Sequence, residues 1–124
     1  MKVSQHLVLF VLLLCPATAH AQKLTAIEAK DHIGERATVC GKVASTHYAS
    51  GSKGQPTFLD LDRPYPNEVF TILIWGGDRE KFGTPESRYR DTEVCVSGKI
   101  TSHRGTPEIA VTKPSQIVVL QHRG

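Results

Sequence analysis

The chain has 124 residues, of which 40% are hydrophobic and 22% charged, a composition that excludes a disordered polypeptide and suits one globular domain. Ten glycines and seven prolines interrupt it, which favours many short elements over a few long helices. The formal net charge of +3 is mild, so charge alone does not indicate a nucleic-acid partner.

The N-terminal segment has the three parts of a secretory signal peptide. Lys2 precedes the apolar run Leu7–Leu14, and small residues follow up to Ala19-His20-Ala21, an A-x-A site for a signal peptidase. The apolar run is too short for a membrane-spanning helix, which needs about 20 residues. We therefore expect residues 1–21 to be a signal peptide, cleaved before Gln22, and the mature protein to be periplasmic or secreted without a membrane span.

Cleavage leaves a single domain of residues 22–124 with a net charge of +2 and two cysteines, Cys40 and Cys95. Disulfides form in exported proteins, so a Cys40–Cys95 bridge is the first expectation. A metal pair and two free thiols are the alternatives, but no Cys-x-x-Cys spacing and no nearby pair of histidines supports them. In the chain-entropy model, closing a loop of this length stabilises the fold by about 4 kcal/mol.

A short helix is predicted at the start of the mature chain. Thr25 and Glu28 fit a capping box, Ile27 and Ile33 give the helix an apolar side, and Gly34 ends it. Apolar or alternating segments separated by turn residues then predict strands over 36–44, 57–62, 69–75, 93–100, 108–111 and 116–120.

A second short helix is predicted between the third and fourth strands, where Gly76-Gly77 ends a strand and Asp78 is placed to cap a helix that runs to Phe82. Strand, strand, strand, short helix, strand, strand is the plan of the OB-fold, a five-stranded Greek-key barrel. In that topology the first and fourth strands are antiparallel neighbours. Cys40 and Cys95 fall on these two strands, near enough to form a bridge.

Several segments resemble small exported bacterial OB-fold domains of the nucleic-acid-binding type. The likeness extends from about Ile33 to Val119 and implies the fold and a general capacity to bind single-stranded DNA or RNA, with no set of catalytic residues. It is carried by ATVCGKV (37–43), PTFLDL (56–61), FTILIW (70–75), VCVSGKI (94–100), RGTPEI (104–109) and PSQI (114–117).

Barrels of this type hold single strands with aromatic side chains on the second and third strands and with basic residues in neighbouring loops. The candidate nucleic-acid-binding residues are Tyr48, Phe58 and Tyr65 for base stacking, and Lys53, Arg63 and Arg104 for phosphate contacts.

Other side chains favour a structural role or oppose phosphate binding. Phe70 and Phe82 are expected in the core, and Trp75 is expected to cover one end of the barrel. Asp60 and Asp62 are expected to point outwards beside the stacking residues, where they would repel phosphate.

No feature of the sequence favours catalysis. There is no Gly-x-Ser-x-Gly motif, neither mature cysteine is expected to be a free nucleophile, and the mature histidines lack the spacing of metal ligands. The sequence thus predicts a non-enzymatic binding protein for single-stranded nucleic acid, without cofactor or metal. The alternative, favoured by the outward acidic pair, is a periplasmic protein-interaction, small-ligand or envelope-stress module that uses the same face of the barrel.

Overall fold

A computed structural model describes residues 22–120, so the expected signal peptide lies outside the described residues. Within them, no helix has the length and apolar character needed to cross a membrane. The described chain is mainly β, as predicted, and its strands join in one sheet. The strands are β1 (Lys23–Thr25), β2 (Arg36–Tyr48), β3 (Thr57–Leu61), β4 (Phe70–Ile74), β5 (Glu93–Lys99), β6 (Thr101–His103), β7 (Thr106–Ala110) and β8 (Ile117–Val119).

The sheet has the order β6-β7-β4-β3-β2-β5-β8, with β1 paired beside β2. The β1–β2 and β4–β7 pairs are parallel, and the other pairs are antiparallel. β2 is long enough to pair with β5 along its first part and with β3 along its second. A register shift between Val43 and Ser45 marks the change of partner.

The sheet curls but its ladder of strand pairs is not closed. β5 and β6 are consecutive in the chain, separated only by Ile100, yet they lie near opposite ends of the strand order. At this corner Ile100 donates its N–H to the Glu35 carbonyl (2.9 Å) and accepts from the Gly34 N–H (2.7 Å). Eight strands are observed where the predicted barrel has five. β8 is the further strand predicted over 116–120, whereas β1 and β6 lie outside the predicted segments.

The core lies between the inner faces of the curled sheet. Alternation along β3 and β4 turns one set of side chains inwards, and Phe70 is fully buried as predicted. Phe82, from the helical segment that follows β4, is also fully buried, and its burial contributes about 2–3 kcal/mol. The other large side chains with no exposed surface include Val39, Leu59, Leu61, Ile72, Ile74, Val94 and Ile109.

The predicted Cys40–Cys95 disulfide is present. The two residues are direct partners in the antiparallel β2–β5 ladder, with a Cα–Cα distance of 4.1 Å. This is the close type of antiparallel pair, in which facing side chains approach each other most nearly. The bridge therefore joins the two strands that the sequence assigned to it.

The first helical segment differs from its prediction in the side it buries. It is a 3₁₀ helix, Ile27–Asp31, and the Glu28 carboxylate accepts from the backbone N–H (3.1 Å) and hydroxyl (2.7 Å) of Thr25. Ala26 and Ala29 are fully buried, whereas Ile27 and Ile33 are exposed. Three residues per turn place Ala26 and Ala29 on one side of the helix and Ile27 on another, so burial of the alanines leaves Ile27 exposed, and Ile33 lies beyond the end of the helix.

The second helical segment is longer than predicted. It comprises α1 (Gly76–Arg79), a 3₁₀ turn (Glu80–Phe82) and α2 (Pro85–Arg88). The expected cap at Asp78 is wrong, because α1 begins two residues earlier, directly after the extended Trp75. The Asp78 carboxylate instead accepts from Lys81 Nζ at 2.8 Å.

Candidate binding groove

A groove of about 950 Å³ lies on the outer face of the sheet formed by β2, β3, β4 and β7. Because successive side chains of a strand point to opposite faces, Phe58 and Asp60 of β3 line the groove while Leu59 and Leu61 enter the core. On β4, Thr71 and Leu73 line the groove in the same way. The face left free by core packing is thus the face that forms the groove.

Strand pairing arranges the groove floor in two adjacent rows. Ser45 pairs with Asp60, Asp60 with Thr71, and Thr71 with Glu108, which makes a polar row across four strands. In the next row His47 pairs with Phe58, and Phe58 with Leu73. We call Ser45, Asp60, Thr71 and Glu108 the polar row, and Phe58, Leu73 and Trp75 the apolar end.

Trp75 is the largest side chain of the apolar end, and 45% of its surface is exposed. The β2–β3 loop holds it in place: Gly54 has a φ of +79°, and a Cβ there would lie 2.9 Å from the Trp75 ring. The Gly76 N–H donates to the Gly54 carbonyl at 2.9 Å, which ties the same loop to the end of β4. Only glycine combines this backbone conformation with so close an approach.

Asp60 is the buried centre of the polar row, with 3% of its surface exposed. Burial raises the pKa of its carboxyl and the nearby Glu68 raises it further, while hydrogen bonds oppose the shift. These bonds come from the hydroxyls of Ser45 (2.7 Å) and Thr71 (3.3 Å). Asp60 does face outwards as expected, but it is enclosed rather than solvated.

Two further carboxylates line the groove beside Asp60. Burial raises the pKa of Glu108, and the neighbouring His103 partly offsets that effect. The Oε2 atom of Glu68 is buried and has no hydrogen-bond partner within residues 22–120. The floor therefore holds more acceptors than its own hydroxyl donors satisfy.

Basic side chains line the same groove from its loops and outer strands. Lys53 belongs to the β2–β3 loop and Arg104 to the turn between β6 and β7, and both are exposed. His47 and His103 are exposed groove residues as well. The arrangement puts solvated cations around a floor that carries buried carboxylates.

Of the six residues predicted to bind nucleic acid, the structure brings four to this groove: Lys53, Phe58, Tyr65 and Arg104. Tyr65 has 74% of its surface exposed, and its N–H donates to Ser45 Oγ at 3.0 Å.

The other two candidates, Tyr48 and Arg63, do not line the groove. Tyr48 follows the groove residue His47, so alternation turns it to the opposite face of β2. There the Arg79 guanidinium lies 3.8 Å from its ring centroid.

Trp75, Glu68 and Glu108 also line the groove, although the sequence analysis did not assign them to binding and expected Trp75 to cover one end of the barrel. Trp75 continues the alternation of Thr71 and Leu73 along the strand, so the sequence pattern was sufficient to predict that it faces the groove. Glu68 lies in the loop between β3 and β4, where no periodicity indicates direction.

Asp62 does not share the groove with Asp60. It follows the last residue of β3 with a φ of +68°, and the strand alternation ends there. Its Oδ1 accepts from the Lys42 N–H at 3.0 Å. Asp62 is exposed, as expected, but it lies outside the groove, so of the two carboxylates expected on this face only Asp60 lines the groove. Within residues 22–120, no group of three or more His, Cys, Asp or Glu side chains is placed to hold a metal ion.

Comparisons with known proteins show the fold. No model of a known family and no curated protein matches the sequence. An asparaginyl-tRNA synthetase from Entamoeba histolytica is similar with a TM-score of 0.54 and 15% identity, over 86% of this chain and 25% of that chain. A putative aspartyl-tRNA synthetase from Leishmania major Friedlin is similar with a TM-score of 0.50 and 14% identity, over 86% of this chain and 22% of that chain.

A third similar structure is OBody AM1L10 bound to hen egg-white lysozyme, with a TM-score of 0.51 and 19% identity, over 75% of this chain and 85% of that chain. The chain spans about a quarter of each synthetase. At these identities the likeness concerns the fold, and it supports an OB-fold.

Proposed function

We propose that this protein binds single-stranded DNA or RNA in the groove, without catalysis and without a cofactor. The observation that carries the proposal is the exposed Trp75, which shares one groove with Phe58 and Tyr65. Base stacking on aromatic side chains contributes about 1–3 kcal/mol per base in such proteins, whatever the base. The two synthetases among the similar structures agree with a nucleic-acid ligand at the level of the fold.

Charge determines how a strand lies in the groove under this proposal. Phosphates are repelled by the carboxylates of the floor and attracted by the exposed Lys53 and Arg104. The sugar-phosphate backbone then follows the rim, and the bases turn towards the apolar end.

The proposal also treats the curled sheet as an OB barrel. Its five strands are β2, β3, β4, β5 together with β6, and β7.

We propose that the mature protein works outside the cytoplasm, as residues 22–124. The Cys40–Cys95 disulfide supports this location, because such bonds persist in oxidising compartments.

Trp75 is the only tryptophan in the chain, so intrinsic fluorescence reports on the groove itself. Mature protein is titrated with dT and rU octanucleotides at low and at moderate salt, and labelled oligonucleotides give an independent anisotropy signal. We expect Trp75 quenching and an affinity that falls steeply with salt. Absence of both signals at low salt would overturn the proposal.

A peptide or protein ligand is the second candidate, and the acidic floor is the observation that favours it. Buried carboxylates suit lysine and arginine side chains, which supply charged donors. The OBody likeness shows a similar fold in a complex with a protein. If a basic peptide quenches Trp75 and the oligonucleotides do not, this candidate replaces the first.

A further inference from the structure

The groove floor has more hydrogen-bond acceptors than donors, and this imbalance determines which bases can bind there. Asp60 receives the Ser45 and Thr71 hydroxyls, whereas Glu68 Oε2 has no partner within the described residues. Glu108 adds a third carboxylate, partly shielded from water. Ionised carboxylates only accept hydrogen bonds, so a ligand that fits this floor must bring the donors.

The apolar end lies directly beside this floor. His47, Phe58 and Leu73 form the row next to Ser45, Asp60 and Thr71 in the strand pairing. A base stacked on Trp75 or Phe58 would therefore direct its polar edge towards the carboxylates, since the phosphates stay with the cations of the rim. This orientation exposes the base edge rather than the backbone to the acceptors.

The four bases differ in what they offer at that edge. Guanine presents two adjacent donors, N1–H and N2–H, beside one carbonyl acceptor, O6. Adenine and cytosine present one amino group beside a ring-nitrogen acceptor, and thymine or uracil presents one N–H between two carbonyl oxygens. An acceptor placed against a carboxylate is repelled, so guanine alone can turn two adjacent donors towards the floor while its one acceptor on that edge, O6, points away.

We propose that the groove prefers guanine in a single strand, with the carboxylates of Glu68 and Glu108 accepting from its N1–H and N2–H. This inference rests on the proposed function and names the base that the same groove selects. Asp60 is a positioning residue: held by two hydroxyls, it fixes a carboxylate in the same polar row as Glu108.

The experiment compares pentanucleotides that differ only at the central base: TTGTT, TTITT, TTATT, TTCTT and TTTTT, where I is inosine. Inosine keeps N1–H and lacks the N2 amino group. Trp75 fluorescence and anisotropy of labelled strands measure the affinity of the mature protein. A well-placed two-donor contact discriminates by about tenfold or more, so we expect TTGTT to bind at least tenfold more tightly than TTTTT and TTITT to lie between them.

Substitution then assigns the contact. Glu68→Gln and Glu108→Gln should each reduce the guanine advantage, and each should strengthen TTTTT binding because a negative charge leaves the floor. Glu80→Gln is the matched control, because Glu80 is exposed on the helical segment and does not line the groove. It should leave the order and spacing of the affinities unchanged.

The outcomes separate the inference from the proposed function. Equal affinity for all five strands, or tighter binding of TTATT or TTCTT than TTGTT, overturns the guanine preference and leaves nucleic-acid binding intact. Failure of every strand to bind at low salt removes the proposed function itself. The wild-type inosine series needs no variant, so the preference is decided even where a substitution prevents folding.

Discussion

Asp60 places a carboxylate on a β-strand at a position where almost no solvent reaches it. Two hydroxyls hold it, and Glu68 lies close enough to disfavour its charge. Burial of an ionised group is unfavourable for folding even when it is hydrogen-bonded. A residue of this kind fits a ligand site better than a structural role, because a well-packed apolar side chain would serve stability at least as well.

The raised pKa of Asp60 gives a pH test of stability. When the folded-state pKa exceeds the unfolded value, the contribution of the group is most favourable below the unfolded pKa and is lost as pH rises through the folded pKa. Asp60→Asn does not titrate, so the stability of this variant relative to wild type should increase from pH 3 to pH 7 in urea unfolding.

Asp31→Asn is the control for that series, because Asp31 is exposed in the first 3₁₀ helix. Its stability relative to wild type should show no comparable rise over the same range. A constant or falling difference for Asp60→Asn would contradict the buried, charge-disfavouring environment.

Trp75 should supply most of the stacking energy. Trp75→Leu keeps an apolar side chain and removes the indole, so oligonucleotide affinity should fall by about tenfold or more, following 1–3 kcal/mol per stacked base. Anisotropy of a labelled strand measures it, since the variant lacks tryptophan. Tyr48→Leu is the matched control on the other face of β2, and a larger loss there would place the stacking surface beneath Arg79.

Among the strands, the alternation of side chains along β4 predicted its groove-facing residues as well as its bounds, although the sequence analysis inferred only the bounds. β4 was placed to within a residue, and Thr71, Leu73 and Trp75 share the groove face as period two requires. On β2 the sequence could not show which of His47 and Tyr48 faces the groove. The register shift between Val43 and Ser45 determines the face of the sheet to which the later side chains of β2 point. The sequence pattern does not predict this shift.

The β2–β3 loop is predicted to position Trp75 through one glycine. Gly54→Ala meets both a positive φ and a Cβ approach of 2.9 Å to the indole, so it should displace Trp75 and lower stability by about 1 kcal/mol or more. Trp75 emission and urea unfolding measure the two effects. Gly51→Ala in the same loop has no atom within 4 Å of the added Cβ and should change neither.

The β2–β5 disulfide was predictable from two independent arguments. The expected export signal indicated an oxidising compartment, and the strand order made the strands of the two cysteines neighbours. Removing it in Cys40→Ala/Cys95→Ala should lower the free energy of unfolding by about 4 kcal/mol, since the bridge spans 55 residues. Urea unfolding measures this loss. Reductant should shift wild type towards the variant and leave the variant unchanged; a loss near zero would mean that the bridge does not constrain the unfolded chain.

For the molecule as a whole, the negative charge of the groove floor could not be predicted from the sequence. Asp60, Glu68 and Glu108 come from β3, from a loop and from β7, and only the sheet topology assembles them. The net charge of +3 conceals this segregation, because basic residues are distributed around an acidic floor. The fold was readable from local patterns, while the chemistry of the site depended on pairings between distant segments.

Segregated charge makes the salt dependence of binding a test of where phosphates lie. Each phosphate contact on a single strand contributes about 0.7 to the slope of log affinity against log salt. Lys53→Gln/Arg104→Gln removes two groove cations, so the slope for a dT octanucleotide should fall by roughly 1.4 and affinity at low salt should drop.

The control for this pair removes the same charge from the opposite part of the sheet. Arg36 and Lys99 are exposed partners on β2 and β5, outside the groove, and Arg36→Gln/Lys99→Gln leaves the rim intact. If binding depended on net charge alone, both double variants would lose the same affinity and the same slope. A loss confined to Lys53 and Arg104 shows instead that the strand follows the groove rim, since only contacts at the rim release counterions there.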